Sequence, residues 1–123
     1  MKKSILLAFV LAFTGVGALA AAEMHFALTK SVPEAESTVA APDEIRLWFS
    51  QVPQDNSVTV RLVDAAGELV ETGEPTPDAS DGKIVAVAID HAISAGSYTV
   101  AWRGIGDDGH VVRGEFPFSV SAH

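Results

Sequence analysis

Four histidines, sixteen carboxylates and no cysteine set the chemistry open to this chain of 123 residues. Iron–sulfur clusters, thiolate zinc sites and cysteine nucleophiles all need sulfur and are excluded. The histidines stand far apart in sequence, at His25, His91, His110 and His123. His91 and His123 read as isolated surface side chains. His110 differs, because Asp108 precedes it by two in Asp107-Asp108-Gly109-His110, and a tight turn there aims carboxylate and imidazole the same way. Such a nitrogen–oxygen pair suits Cu(II), or Zn(II), once another nitrogen arrives from elsewhere in the fold. Taken alone, an Asp-x-His triplet is equally an ordinary polar turn.

Other catalytic patterns fall away on inspection. Gly104-Ile-Gly106-Asp-Asp-Gly109 has the spacing of a dinucleotide loop, but no helix follows to receive a pyrophosphate, and Asp107 with Asp108 would repel it. No serine sits in a Gly-x-Ser-x-Gly elbow. A carboxylate pair for glycoside hydrolysis is available in number, yet a domain of this length leaves little room for a substrate cleft. No enzymatic role is expected.

The elements that must position these residues are strands. Alternate residues are apolar in Ile45, Leu47 and Phe49, in Val58, Val60 and Leu62, in Val85, Val87 and Ile89, in Tyr98, Val100 and Trp102, and in Phe116, Phe118 and Val120. A period of two is the mark of half-buried strands, and no sustained helical period competes with it. Asp64-Ala-Ala-Gly67, Ser80-Asp-Gly82, Ser94-Ala-Gly96 and Asp107-Asp-Gly109 separate the runs, each ending in a glycine free to take positive φ. The expectation is an all-β antiparallel sandwich or small barrel. Pro75 and Pro77 mark a polar loop, and Pro117 fits an edge strand or bulge better than a central strand. Trp102 alternates inward with Val100 and reads as core, or as a wall beside a metal. Trp48, opposite Leu47 and Phe49 in direction, covers the second face or meets a partner. Arg103 and Arg113 read as rim charges paired with the many acids.

Residues 1–22 have a different character. Lys2 and Lys3 precede an apolar stretch from Ile5 to Phe13 and a small-residue run ending at Ala22, the layout of a cleaved export signal. The segment nearly reaches the roughly 18 apolar residues of a membrane span, but the small residues at its end and the lack of a basic flank favour the signal. The expected division is a signal peptide over 1–22 and one domain over 23–123, the usual size for a single domain. Taking Lys2 and Lys3 from the eight basic side chains leaves six against 16 acidic ones, a formal charge of −10. That charge argues against nucleic acid and anionic membrane surfaces and favours cations. Export without disulfides leaves the core to hold the domain together unaided or with a metal.

These blocks carry a resemblance. A histidine near the mature N-terminus leads into Leu28-Thr-Lys-Ser-Val-Pro33, followed by Ala41-Pro-Asp-Glu-Ile-Arg-Leu-Trp-Phe-Ser50 and Val63-Asp-Ala-Ala-Gly67. Gly96-Ser-Tyr-Thr-Val-Ala-Trp-Arg103, the Asp108-Gly-His110 turn and Gly114-Glu-Phe-Pro-Phe-Ser-Val120 close the series. Nearly all of the mature chain thus resembles the CopC family of exported copper-binding proteins. The resemblance implies a seven-stranded Greek-key β-sandwich or barrel, immunoglobulin-like in kind. It also implies a Cu(II) site built from His25, Asp108 and His110, a periplasmic location, and a role in sequestering or delivering copper. Implied partners are the copper ion and a CopD-like inner-membrane protein or another copper-tolerance component.

Two features depart from the family pattern. Many relatives begin with the histidine itself, whose free amine joins the copper, whereas here Glu23 and Met24 precede His25. Cleavage after Ala22 would instead free Glu23-Met24-His25, which can wrap Cu(II) or Ni(II) through amine, amides and imidazole in competition with the other site. Some relatives also carry a methionine-rich loop for Cu(I), while here Met24 alone would remain after export, so a Cu(II)-only protein is expected. The alternative from another class is a metal-free immunoglobulin-like interaction or structural domain of the cell envelope.

Overall fold

The computed structural model describes residues 25–122. The expected export segment, Glu23, Met24 and His123 lie outside the described residues. Nine strands follow in order: β1 (Leu28–Val32), β2 (Thr38–Val39), β3 (Glu44–Phe49), β4 (Thr59–Asp64), β5 (Leu69–Val70), β6 (Thr76–Pro77), β7 (Ile84–Ala88), β8 (Gly96–Ile105) and β9 (Val111–Val120). They form one sheet of order β1-β3-β7-β6 and a second of order β2-β9-β8-β4-β5. All pairings are antiparallel except β2 with β9.

The all-β sandwich agrees with the period-two pattern. Nine strands stand where seven are expected, and three of them, β2, β5 and β6, are two-residue pieces at sheet edges, too short to show any alternation. Short edge strands also limit unwanted pairing with other chains. Thr76–Pro77 is one of them, so the segment expected as loop joins the sheet at its rim, where a missing N–H costs the ladder nothing. Pro117 corrects the edge or bulge expectation: it lies in β9, between β2 and β8 and in unbroken register with β8. It is tolerated because its backbone faces away from β8, where its carbonyl accepts the Glu36 N–H at 2.6 Å and β2 pairs only with Ser119 and Val120.

The core lies between the sheets. Ile45, Leu47 and Phe49 of β3 and Val85 and Val87 of β7 face Leu62 of β4, Val100 and Trp102 of β8 and Phe116 and Phe118 of β9. Val58 and Val60, expected beside Leu62, are only half-buried. Phe49 bridges the sheets, stacked on Phe26 at 5.0 Å and edge-on to Trp102 at 5.5 Å. Trp102 is therefore core. Trp48 looks outward from β3, with the Lys30 ammonium 4.5 Å from its ring centroid, a cation–π contact. The Tyr98 hydroxyl donates to the Ser94 carbonyl at 2.6 Å, the upstream tie that immunoglobulin-like sandwiches make with a tyrosine of this kind.

Of the four turn glycines, Gly67, Gly96 and Gly109 take positive φ. Gly82 does not, and its lack of a side chain serves space instead, since a Cβ there would lie 3.2 Å from Val52.

Candidate metal centre

The Asp107–His110 turn joins the two longest strands, β8 and β9, which pair over their full length from Gly96↔Val120 to Ile105↔Val111. Two ten-residue strands make a stiff arm, so the turn at its tip is held against a sheet and does not float. A local bond set shapes the turn itself. Gly109 takes φ +81° and its N–H reaches the Gly106 carbonyl at 3.0 Å, a backbone shape that side-chain-bearing residues adopt only at a cost. Asp108 Oδ1 accepts the His110 N–H at 3.1 Å, and Asp108 Oδ2 lies 2.9 Å from His110 Nδ1.

That pair fixes the chemistry of both groups. The His110 backbone N–H, then its ring nitrogen, hold the Asp108 carboxyl below its ordinary pKa. An ionised carboxylate can only accept, so the ring nitrogen facing it carries the proton. In that tautomer His110 has its lone pair on Nε2, the atom free to bind a metal. Both side chains are open to solvent, at 82% for His110 and 60% for Asp108.

The turn is braced from two directions. From the segment between β3 and β4, the Gln51 side chain accepts the Asp107 N–H at 3.0 Å, Gln54 donates to the Gly106 carbonyl at 3.0 Å, and the Ser57 hydroxyl accepts the Ile105 N–H at 3.1 Å. From the N-terminal side, Phe26 packs on the base of the turn: a Cβ on Gly106 would lie 2.8 Å from Phe26 Cβ, and one on Gly104 would lie 3.0 Å from its ring. His25 precedes that anchor directly. Its carbonyl accepts the Ser50 hydroxyl at 2.7 Å, and Ser50 Oγ accepts the Ala27 N–H at 2.9 Å.

The structure thus brings Asp108 and His110 into direct contact and runs the chain from His25 past the base of their turn. It does not join all three. Among the described residues, no group of three His, Cys, Asp or Glu side chains is gathered closely enough to hold a metal ion. His25 is exposed, and its side chain makes no hydrogen bond to the pair among the described residues. His91 is also exposed, 3.4 Å from the carboxylate of its neighbour Asp90. Sequence reasoning missed the braces Gln51, Gln54, Ser57 and Phe26. Their only signal was the pair Gly104 and Gly106, which marks a close approach without naming what approaches.

The turn offers an imidazole nitrogen, His110 Nε2, on a rigid support, with the Asp108 carboxylate engaged at Nδ1 and able to reach a metal only if that bond opens; nitrogen and oxygen donors of this kind fit copper. Fold and turn together define an immunoglobulin-like sandwich that presents nitrogen and oxygen donors at one end. The family model for the CopC domain matches residues 28–121, a span that contains Asp108 and His110 and starts just after His25. The chain belongs to the CopC family. It is 33% identical over 118 residues to copper resistance protein C of Escherichia coli, covering 85% of this chain and 88% of that one. The crystal structure of CopC from Methylosinus trichosporium OB3b is similar at a TM-score of 0.73 and 28% identity, over 80% of this chain and 96% of that one. PcoC, a methionine-rich copper resistance protein from Escherichia coli, is similar at 0.71 and 31%, over 79% and 99%.

Proposed function

We propose that this protein binds Cu(II) in the periplasm as cargo, holding it or passing it on in copper resistance. The observation that carries the reading is the Asp108–His110 pair, which orients an exposed imidazole with Nε2 outward at the tip of the β8–β9 arm. His25 is the second nitrogen donor, since Phe26 fastens the chain beside the same turn. The family membership supports copper as the ion, because relatives carry copper resistance in their names. The oxidation state follows from the donors. Met24 is the only methionine beyond the proposed signal over 1–22, and Cu(I) favours several soft thioethers. The proposed partners are the copper ion and a membrane or oxidase component of a copper-tolerance system, of the CopD kind.

Titration of the exported protein with Cu(II), its N-terminus defined by mass spectrometry, tests this directly. Sub-micromolar uptake of a single ion is expected, with an electron paramagnetic resonance spectrum showing imidazole nitrogens. His110→Ala should weaken uptake by at least about 100-fold. Uptake unchanged by that substitution would refute the site, and a mature chain beginning at Glu23 whose binding survives it would assign copper to Glu23-Met24-His25 instead.

A further inference from the structure

Three of the six basic residues beyond Lys3 converge on the outer face of the five-stranded sheet. Arg103 of β8 stands directly opposite Arg113 of β9, and Arg61 of β4 lies one step diagonal, paired with Ala101. They share a shallow groove of about 360 Å³ with Thr59 and Glu115. The expectation that Arg103 and Arg113 pair with acids is not met: among the described residues only Arg46 of the arginines forms a salt bridge, with Glu44 and Asp78. Like charges directly opposite on neighbouring strands destabilise a sheet. The isolated chain therefore carries a cluster that an incoming anion would relieve.

Among the described residues, the strand beside this cluster is open along part of its length. Alternate residues of β9 direct their backbone groups away from β8, as the carbonyl of Pro117 and the N–H of Ser119 show by bonding Glu36 and Ser37. By the same alternation Val111, Arg113 and Glu115 direct theirs outward, where β2 does not reach. Across from this edge lies β1, whose far side likewise pairs with no strand among the described residues, and the two border a wider groove of about 720 Å³.

We propose that this surface docks an extended acidic segment of a partner protein, which pairs along β9 from Val111 to Glu115 and sets its carboxylates on Arg113 and the neighbouring Arg103, with Arg61 on β4 adding to the local positive charge. Guanidinium groups bind carboxylates in a bidentate fork, and an added strand supplies the register. The charge of the whole chain selects this occupant over an anionic membrane. A broad negative surface meets the full acidic field of the protein, whereas a short segment meets only the local arginines. The Arg103–Arg113 rung lies about 10 Å from the Asp107–His110 turn, at the usual rise per strand residue. A docked partner would therefore sit beside the turn, but the inference stands on the arginines and the open edge and not on the copper site.

The probe is a fluorescein-labelled decapeptide alternating Glu and Thr, with its Gln-Thr counterpart as control, in low salt. Saturable binding of the Glu peptide is expected, weakened at least about tenfold in the Gln peptide and in the triple variant Arg61→Gln/Arg103→Gln/Arg113→Gln. Amide shifts should be confined to β4, β8 and the edge of β9, and binding should fall as salt rises. Circular dichroism and Cu(II) uptake of the triple variant should match wild type, which keeps this result separate from the copper reading. Should the triple variant not fold, the single exposed substitution Arg113→Gln carries the same readout. Equal binding by the variant or the Gln peptide, no binding up to about 1 mM, or capture of phosphatidylglycerol vesicles without the peptide would each overturn the proposal.

Discussion

At the level of single residues, Asp108 does two things that are separable. Its Oδ1 shapes the turn through the His110 N–H, while its Oδ2 fixes which nitrogen of His110 carries the proton. Asp108→Asn keeps the first role, because an amide oxygen also accepts, and inverts the second. The amide N–H would face Nδ1 and place the ring proton on Nε2, the nitrogen of the proposed metal site. The expected result is a folded protein whose Cu(II) affinity falls by about 10- to 100-fold, measured by competition with a chromophoric chelator. Asp78 makes a parallel case away from the site. The Ser80 hydroxyl, then the Ser80 N–H, hold its carboxyl below the ordinary value. A depressed folded pKa stabilises the protein above the unfolded pKa, and that contribution is lost as pH falls through the folded value. Ser80→Ala should raise the Asp78 pKa in a carboxyl-detected NMR titration and bring the onset of acid unfolding to higher pH.

The elements explain why the turn is where it is. Strands β8 and β9 were legible because Tyr98, Val100, Trp102, Phe116, Phe118 and Val120 alternate cleanly, and each is buried. Strand β1 was not legible by period, since its register shifts between Leu28 and Lys30 and two consecutive residues, Thr29 and Lys30, are exposed. Its position matters nonetheless, because it leads from the Phe26 anchor. Gly106→Ala tests that anchor: a Cβ 2.8 Å from Phe26 Cβ forces the segment at residues 25 and 26 to move. The expected cost is about 1–3 kcal/mol in denaturant unfolding. Amide shifts at Phe26 should accompany it, and Cu(II) affinity should drop although Asp108 and His110 are untouched. An alanine variant with wild-type stability and affinity would show that the approach is looser than the packing implies.

For the whole molecule, a single apolar core between two sheets holds a domain of this size together without cysteine. On the proposed site copper should add to that core by mass action, because binding through both His25 and His110 would require the folded chain. At a free Cu(II) concentration about 100 times Kd the gain is about 2.7 kcal/mol. For a domain of this length that corresponds to a rise in Tm on the order of 10 °C. Differential scanning calorimetry should show the rise with Cu(II), its reversal by a chelator, and its loss in His110→Ala. A Tm insensitive to Cu(II) would count against a site formed by the folded state.

The sequence by itself determined the all-β class, the inward faces of the main strands and the Asp108-Gly109-His110 triplet, because strand alternation and turn chemistry act over a few residues and are written locally. It also determined which donors exist, since absent cysteine and a single methionine beyond Ala22 are matters of composition. Only the tertiary structure decided that Phe26 packs against Gly104 and Gly106, that Gln51, Gln54 and Ser57 brace the turn, and that Arg61, Arg103 and Arg113 share a face without a salt bridge among the described residues. Those relations join residues far apart in the chain, and they depend on strand order and register, which no local pattern encodes.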